Sequence, residues 1–335
     1  MTRQILCGDA LEELRKLPSC SIRTCITSPP YYQLRDYGVD GQIGLEDSVE
    51  EYIGKLVAVF HEVRRVLQAD GTLWLNIADS YAGSTKGAAQ NPENALKYKQ
   101  GTNKGLLGSR LAPTPKCGCK TKDLLGVPWL LALALREDGW YLRQDIIWQK
   151  PNPMPESVTD RCTKSHEYLF LLSKSKQYYF DWAAIQEPCV GFDKSSPRGS
   201  KGTSRPNAGR RKGNRKSFRG GGVYTRNASF DNGTDKQNET NGNKPNETGL
   251  RRKRSVWCVA TNGGGGKHYA TFPKRLILPC ILAGSRAGDT VLDPFAGSGT
   301  VGAAAADCGR GYVLIDLSPV YVQICKERLQ NESPL

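Results

Sequence analysis

Thr290-Val291-Leu292 followed by Asp293-Pro294-Phe295-Ala296-Gly297-Ser298-Gly299-Thr300 reads as a buried strand running into a glycine-rich turn. Gly297 to Ala306 carries that turn into an alanine-rich helix. Gly297, Gly299 and Gly302 satisfy G-x-G-x-x-G, a pattern whose glycines let a nucleotide cofactor approach the backbone. Tyr312 to Ile315 is the next strand, and Asp316 ends it, 23 residues after Asp293. An acidic side chain at that distance suits ribose hydroxyls. Just 33 residues follow Gly302, too few for the second half of a dinucleotide-binding sheet. The missing strands must therefore come from the N-terminal part. Asp293, a carboxylate at a strand end, also suits an α-amino group better than a pyrophosphate. Both points favour S-adenosylmethionine over a nicotinamide or flavin dinucleotide.

At the other end, Gln4 to Cys7 reads as a strand that stops at Gly8-Asp9-Ala10, and Leu11, Leu14 and Leu17 mark a short helix. Ile22 to Ile26 is a second strand, leading into Thr27-Ser28-Pro29-Pro30-Tyr31-Tyr32. Two prolines end the strand and stiffen the turn. A stiff turn with a hydroxyl, fixed carbonyls and two rings suits gripping a flat polar ligand. The plainer reading is a strand-ending turn with core tyrosines.

Gln33 to Asp47 is a polar loop. Ser48-Val49-Glu50-Glu51 is a capping box opening a helix with Tyr52, Leu56, Val59, Phe60, Val63 and Leu67 on one side. Asp70-Gly71 is expected to end that helix, and Thr72 to Ile77 to be a strand. Gly83 to Asp123 lacks periodicity and reads as a long loop. Leu124 to Arg136 reads as a helix and Trp140 to Trp148 as a strand. His166 to Ser173 and Gln177 to Phe180 read as an antiparallel pair. Gly263 to Gly266 reads as a hinge, Phe272 to Ala283 as a helix with Pro273 in its first turn, and Ser318 to Leu329 as a closing helix.

The formal charge is +14, and residues 191–254 hold 17 Lys or Arg against 5 Asp or Glu. This window thus carries +12, and the rest of the chain is near neutral. Such a segment is either a solvated loop or an electrostatic footprint for nucleic acid. Its candidate phosphate contacts are Arg210, Arg211, Lys212, Arg215, Lys216, Arg219, Arg251, Arg252, Lys253 and Arg254. No apolar run has the length of a membrane span, and Met1 to Ile5 does not read as a signal peptide. The 11 cysteines are scattered, mostly in apolar runs such as those of Cys25, Cys258, Cys280 and Cys308. Reduced, buried thiols in a cytoplasmic protein are expected. Cys117 and Cys119 lack nearby partners for a four-ligand zinc site, so no metal is expected.

Thr-Ser-Pro-Pro-Tyr near the start and Asp-Pro-Phe-Ala-Gly-Ser-Gly-Thr near the end resemble the catalytic and cofactor motifs of amino-directed DNA methyltransferases. Their order, catalytic motif first, resembles the β group. The resemblance covers about residues 4–186 and 255–330. It implies a Rossmann-like α/β methyltransferase fold, circularly permuted, with an inserted basic target-recognition region. The implied division is a catalytic part, 1–186, with its long loop at 83–123. A basic DNA-binding insertion, 187–254, follows, partly disordered, and then a cofactor part, 255–335.

By the same resemblance Asp293, Phe295, Gly297, Gly299 and Thr300 line the methionine side of S-adenosylmethionine. Asp316 binds its ribose, Asp9 accepts from its adenine amino group, and the segment with Thr271 and Phe272 closes the site. Ser28, Pro29, Pro30 and Tyr31 form the catalytic pocket. The implied reaction transfers a methyl group to the exocyclic amine of a flipped-out base in double-stranded DNA. Tyr31 would stack on the base, while Ser28 and its carbonyl accept from the amine. In this family Ser-Pro-Pro-Tyr goes mostly with cytosine N4 and Asp-Pro-Pro-Tyr mostly with adenine N6. Cytosine N4 is thus favoured, adenine N6 is the alternative, and an inactive DNA-binding module or a methyltransferase acting on RNA or a small amine is the remaining competitor. A cognate restriction endonuclease is a candidate partner.

Overall fold

The structure, a computed structural model, describes residues 1–82, 119–189, 249–261 and 272–331. The Gly263–Gly266 hinge and most of the Gly83–Asp123 loop lie outside these residues. Contacts divide the chain into two units, Met1–Ile185 with Arg254–Leu335, and Gln186–Lys253.

The first unit is built on one sheet. Its strands are β1 (Arg3–Cys7), β2 (Ile22–Thr27), β3 (Leu67–Ile77), β4 (Tyr141–Gln149), β5 (His166–Ser173), β8 (Val256–Cys258), β9 (Thr290–Asp293) and β10 (Gly311–Asp316). The spatial order is β1-β10-β9-β2-β3-β5-β4-β8. All strands run parallel except β5, which is antiparallel to both its neighbours. The last two strands of the chain thus fill the gap between its first two. By this interleaving the sheet is circularly permuted.

Helices cover both faces. On one lie α1 (Ala10–Lys16), α2 (Val49–Val66) and α3 (Val127–Glu137); on the other lie α4 (Lys274–Gly284), α5 (Thr300–Asp307) and α6 (Pro319–Asn331). Strand alternation sorts the core between them. Cys25, Leu73, Leu75 and Leu292 face the first layer, and Ile26, Trp74 and Val291 the second. The capping box forms as expected, Ser48 Oγ accepting from the Glu51 N–H at 3.1 Å, a cap typically worth about 1 kcal/mol. Helix α2 buries Tyr52, Leu56, Val59, Phe60 and Val63, each such side chain contributing roughly 1.5–3 kcal/mol over its exposed state.

Several sequence expectations need correction. Helix α2 ends at Val66, and β3 starts at Leu67 rather than Thr72. Asp70-Gly71 is a bulge inside the strand, since pairing jumps from Ile22–Leu67 to Thr24–Thr72. A Cβ on Gly71 would lie 2.9 Å from the Arg23 carbonyl oxygen, so glycine lets the bulge close. Gln177 to Phe180 is not a strand. Both edges of β5 are taken, by β3 and β4, so this segment bonds elsewhere, with Tyr179 N–H donating to Asp70 O at 3.0 Å. Helix α3 starts at Val127, because Gly126 is left-handed (φ +73°) and the Asp79 carboxylate caps it by accepting from the Gly126 and Val127 N–H groups. Cys25 and Cys280 are buried, but Cys258 is exposed. It alternates with buried Trp257 on the edge strand β8. No helix among the described residues is long and apolar enough to cross a membrane.

The second unit shows a short antiparallel pair, β6 (Glu187–Pro188) with β7 (Leu250–Arg251).

Candidate active site

Parallel pairing of β2 with β9 sets Thr24 beside Val291 and Cys25 beside Leu292. The carboxyl ends of both strands therefore emerge together. Thr27 Oγ1 donates to Asp293 Oδ1 at 2.6 Å. The residue leading into the proline turn is thus bonded to the residue opening the glycine turn. Chain order diverges here, β9 being flanked by β10 on one side and β2 by β3 on the other. Doubly wound sheets open a ligand crevice at such a point.

The crevice is a cleft of about 1200 Å³, its open mouth included. Ser28, Pro29, Pro30 and Tyr31 line it, as do Asp9, Phe272, Asp293, Phe295, Gly297, Thr300 and Asp316. Gly299 is not in the wall. Its φ of +76° turns the chain into α5, and a Cβ there would meet Cys325 Sγ at 2.5 Å. Ser298 lines the cleft instead. Thr271 lies outside the described residues.

The cofactor side carries three acidic residues at the ends of adjacent strands. Asp293 is 2 % exposed. Burial pushes its carboxyl up to about 7, a rise that the Asp316 charge adds to and that hydrogen bonds from Thr27 and the Phe295 N–H oppose. Burial also raises Asp316, whose oxygens accept from the Gly297 N–H at 2.8 Å and the Ser318 N–H at 2.9 Å. The Gly8 N–H donates to Asp316 O, bringing Asp9 alongside. Asp9 caps α1 by accepting from the Glu12 N–H at 3.0 Å. A buried carboxyl raised by burial and by the neighbouring Asp316 charge makes a place a cationic ligand would relieve. No atom stands within 4 Å of where a Gly297 Cβ would point, so the backbone there is open. These features fit S-adenosylmethionine, with its sulfonium, ammonium and ribose.

On the catalytic side the two tyrosines part ways. Tyr32 is core, 2 % exposed and 5.3 Å from the Tyr52 ring. Tyr31 faces the cleft. Tyr52 braces the turn by donating to Pro30 O at 2.8 Å. Tyr31 Oη donates to Glu167 Oε2 at 2.7 Å, and Ser28 Oγ donates to Tyr31 Oη at 3.3 Å. Burial, then the Glu167 charge, holds the Tyr31 hydroxyl well above its ordinary pKa. Glu167 also pairs with Lys150.

The sequence reading missed Glu167, Asn76 and Lys150. It also missed the loop carrying Arg35, Tyr37 and Gln42, and Ser318 and Tyr321 opposite, where Tyr37 meets Tyr321 edge-on at 6.1 Å. Strand ends flag Asn76 and Ser318, but nothing in spacing flags Glu167.

Of the basic candidates, Arg251 pairs with Glu187 at 3.0 Å. Arg252 and Arg254 are exposed, and Lys253 is half-buried. Arg210, Arg211, Lys212, Arg215, Lys216 and Arg219 lie outside the described residues, as does Cys117.

The sequence matches the family N6_N4_Mtase, described as DNA methylase, over residues 22–327. It is 44% identical over 329 residues to the type II methyltransferase M.Cfr9I of Citrobacter freundii, covering 97% of this chain and 87% of that one. The fold resembles TTHA0409, a putative DNA modification methylase of Thermus thermophilus solved with S-adenosyl-L-methionine. The TM-score is 0.56 at 22% identity, covering 99% of this chain and 95% of that one. It also resembles the cytosine-N4-specific PvuII DNA methyltransferase, with a TM-score of 0.59 at 16% identity over 99% and 91% of the two chains. The chain therefore belongs to the N6/N4 family of DNA methylases.

Proposed function

We propose that this methylase acts on the N4 amino group of a cytosine flipped out of a specific duplex DNA sequence, using S-adenosylmethionine. The bond between Thr27 and Asp293 carries the reading, because it joins the proline turn and the glycine turn in one cleft. When bound, the cofactor supplies a methyl group activated as a sulfonium. Asp293 balances positive charge on the amino-acid side, Asp316 accepts from the ribose, and Asp9 accepts from the adenine. Pro29 and Pro30 fix the turn so that Ser28 meets the base amine as an acceptor, while the Tyr31 ring forms a stacking wall. An amino nitrogen inside a duplex is out of reach, so extrusion costs about a few kcal/mol. Stacking on an aromatic ring returns roughly 1–3 kcal/mol. Catalysis by these residues is mainly positioning. Serine rather than aspartate before the prolines supports cytosine. A cognate restriction endonuclease is the candidate partner.

Transfer of labelled methyl from S-adenosylmethionine to duplex plasmid, denatured strands and RNA, compared at one salt concentration, tests the substrate class. Label is expected in the duplex. Preferential labelling of RNA would overturn the reading.

The basic segment is assigned to target recognition on its +12 charge. The Cys189 N–H donates to Gly249 O at 2.9 Å, so residues 190–248 can be excised and the ends rejoined by a short turn. The shortened enzyme is expected to bind S-adenosylmethionine as the full chain does and to lose sequence-specific methylation, read by calorimetry and long-read methylation mapping. Loss of cofactor binding would place the segment in the core instead.

A further inference from the structure

We infer that Glu167 is a positioning residue of the methyl-transfer site, acting through Tyr31; this rests on the functional reading above. The Tyr31 hydroxyl has one proton and three neighbours: Ser28 Oγ at 3.3 Å, Asn76 Oδ1 at 3.2 Å and Glu167 Oε2 at 2.7 Å. The shortest contact is to a carboxylate, the strongest acceptor of the three, so the proton goes there. Tyr31 Oη is then left to accept, and Ser28 donates to it. The Ser28 proton is thereby turned away from the base site, leaving its lone pairs for the cleft. That polarity is the one an NH₂ group needs opposite it. Without Glu167 the Tyr31 proton is divided between Asn76 Oδ1 at 3.2 Å and Ser28 Oγ at 3.3 Å, and part of the time it turns toward Ser28. Ser28 would then donate into the cleft, against the amine.

The carboxylate is itself held. Lys150 Nζ bonds Oε1, and Asn76 Nδ2 donates to Oε2 at 3.2 Å and to Tyr168 O at 3.0 Å. The Glu167 side chain is 12 % exposed and stands behind Tyr31, outside the cleft wall. Of its bonded partners Tyr31, Asn76 and Lys150, Tyr31 is the one that lines the cleft, so the route from Glu167 to the reacting groups runs through Tyr31.

A double-mutant cycle of Glu167→Ala with Tyr31→Phe, read as kcat for methyl transfer to plasmid DNA, tests this. Each single change is expected to lower kcat roughly 10²-fold, the loss typical of misplacing a reacting group by about 1 Å. The double variant is expected to be no worse than the weaker single one. Glu167→Gln, whose amide oxygen still accepts from Tyr31, is expected to recover about tenfold of the alanine loss, and its residual deficit to vanish in the Tyr31→Phe background. Calorimetry should find S-adenosylmethionine affinity unchanged in every variant. If the alanine variant fails to bind cofactor, the cycle runs with glutamine. Additive losses, or full activity without Glu167, would overturn the inference. Total transfer is counted whichever base receives it, so an N6-methyladenine product would sink the cytosine reading and leave this one standing.

Discussion

Asparagine in place of Asp293 is expected to weaken S-adenosylmethionine binding roughly 10²-fold at pH 8, as loss of a hydrogen bond to a charged group worth up to about 3 kcal/mol requires. Asparagine keeps an oxygen for Thr27 and the Phe295 N–H, removes the charge and turns the other carboxylate oxygen into an NH₂ donor. The pH dependence separates this from general damage. In the empty protein the Asp293 carboxyl is raised from 3.8 to about 7. A group raised in the folded state stabilises it fully below its unfolded pKa, near 4, and that stability is lost as pH rises through about 7. A cationic ligand reverses the preference by favouring the carboxylate. Wild-type affinity should therefore fall about tenfold for each pH unit below 7 and level off above it. Thermal stabilisation by the cofactor should be larger at pH 8 than at pH 6. The asparagine variant should be flat in both. A wild type equally flat would mean that Asp293 does not face the cofactor's charge.

Ser28→Ala is expected to cut turnover roughly 10²–10³-fold, the usual cost of removing one preorganised polar contact at a reacting centre. Cofactor affinity should stay within a factor of about three. Alanine loses one long bond to Tyr31 and leaves Pro29, Pro30 and the Tyr52 brace in place. Single-turnover transfer and calorimetry on the same preparation separate the two effects. Unchanged turnover would put the amine elsewhere; lost cofactor binding would make Ser28 part of the other half of the cleft.

The two turns at the heart of the cleft were legible because each follows a short apolar run and carries its own punctuation, proline in one and glycine in the other. Their joining was legible through the resemblance, which places both motifs in one permuted sheet. Bulges and insertions were not. Asp70-Gly71 carries an ordinary helix-stop signal, and what it does depends on Arg23 across the strand pair. The placement of β5 between β3 and β4 depends on two pairings, whereas the local sequence suggests a hairpin with Gln177–Phe180. Glu167 follows from that placement. Its carboxylate reaches Tyr31 because β5 runs antiparallel in an otherwise parallel sheet, bringing its first residues to the end where the other strands finish. Tyr31 and Tyr32 look equivalent in sequence, and Tyr52 decides between them by packing on Tyr32.

The most direct measurement is mass spectrometry of nucleosides from plasmid DNA methylated by the purified enzyme with S-adenosylmethionine. N4-methylcytosine is the expected product, formed roughly 10²–10³-fold more slowly when Ser28→Ala replaces the wild type. N6-methyladenine without N4-methylcytosine would contradict the account.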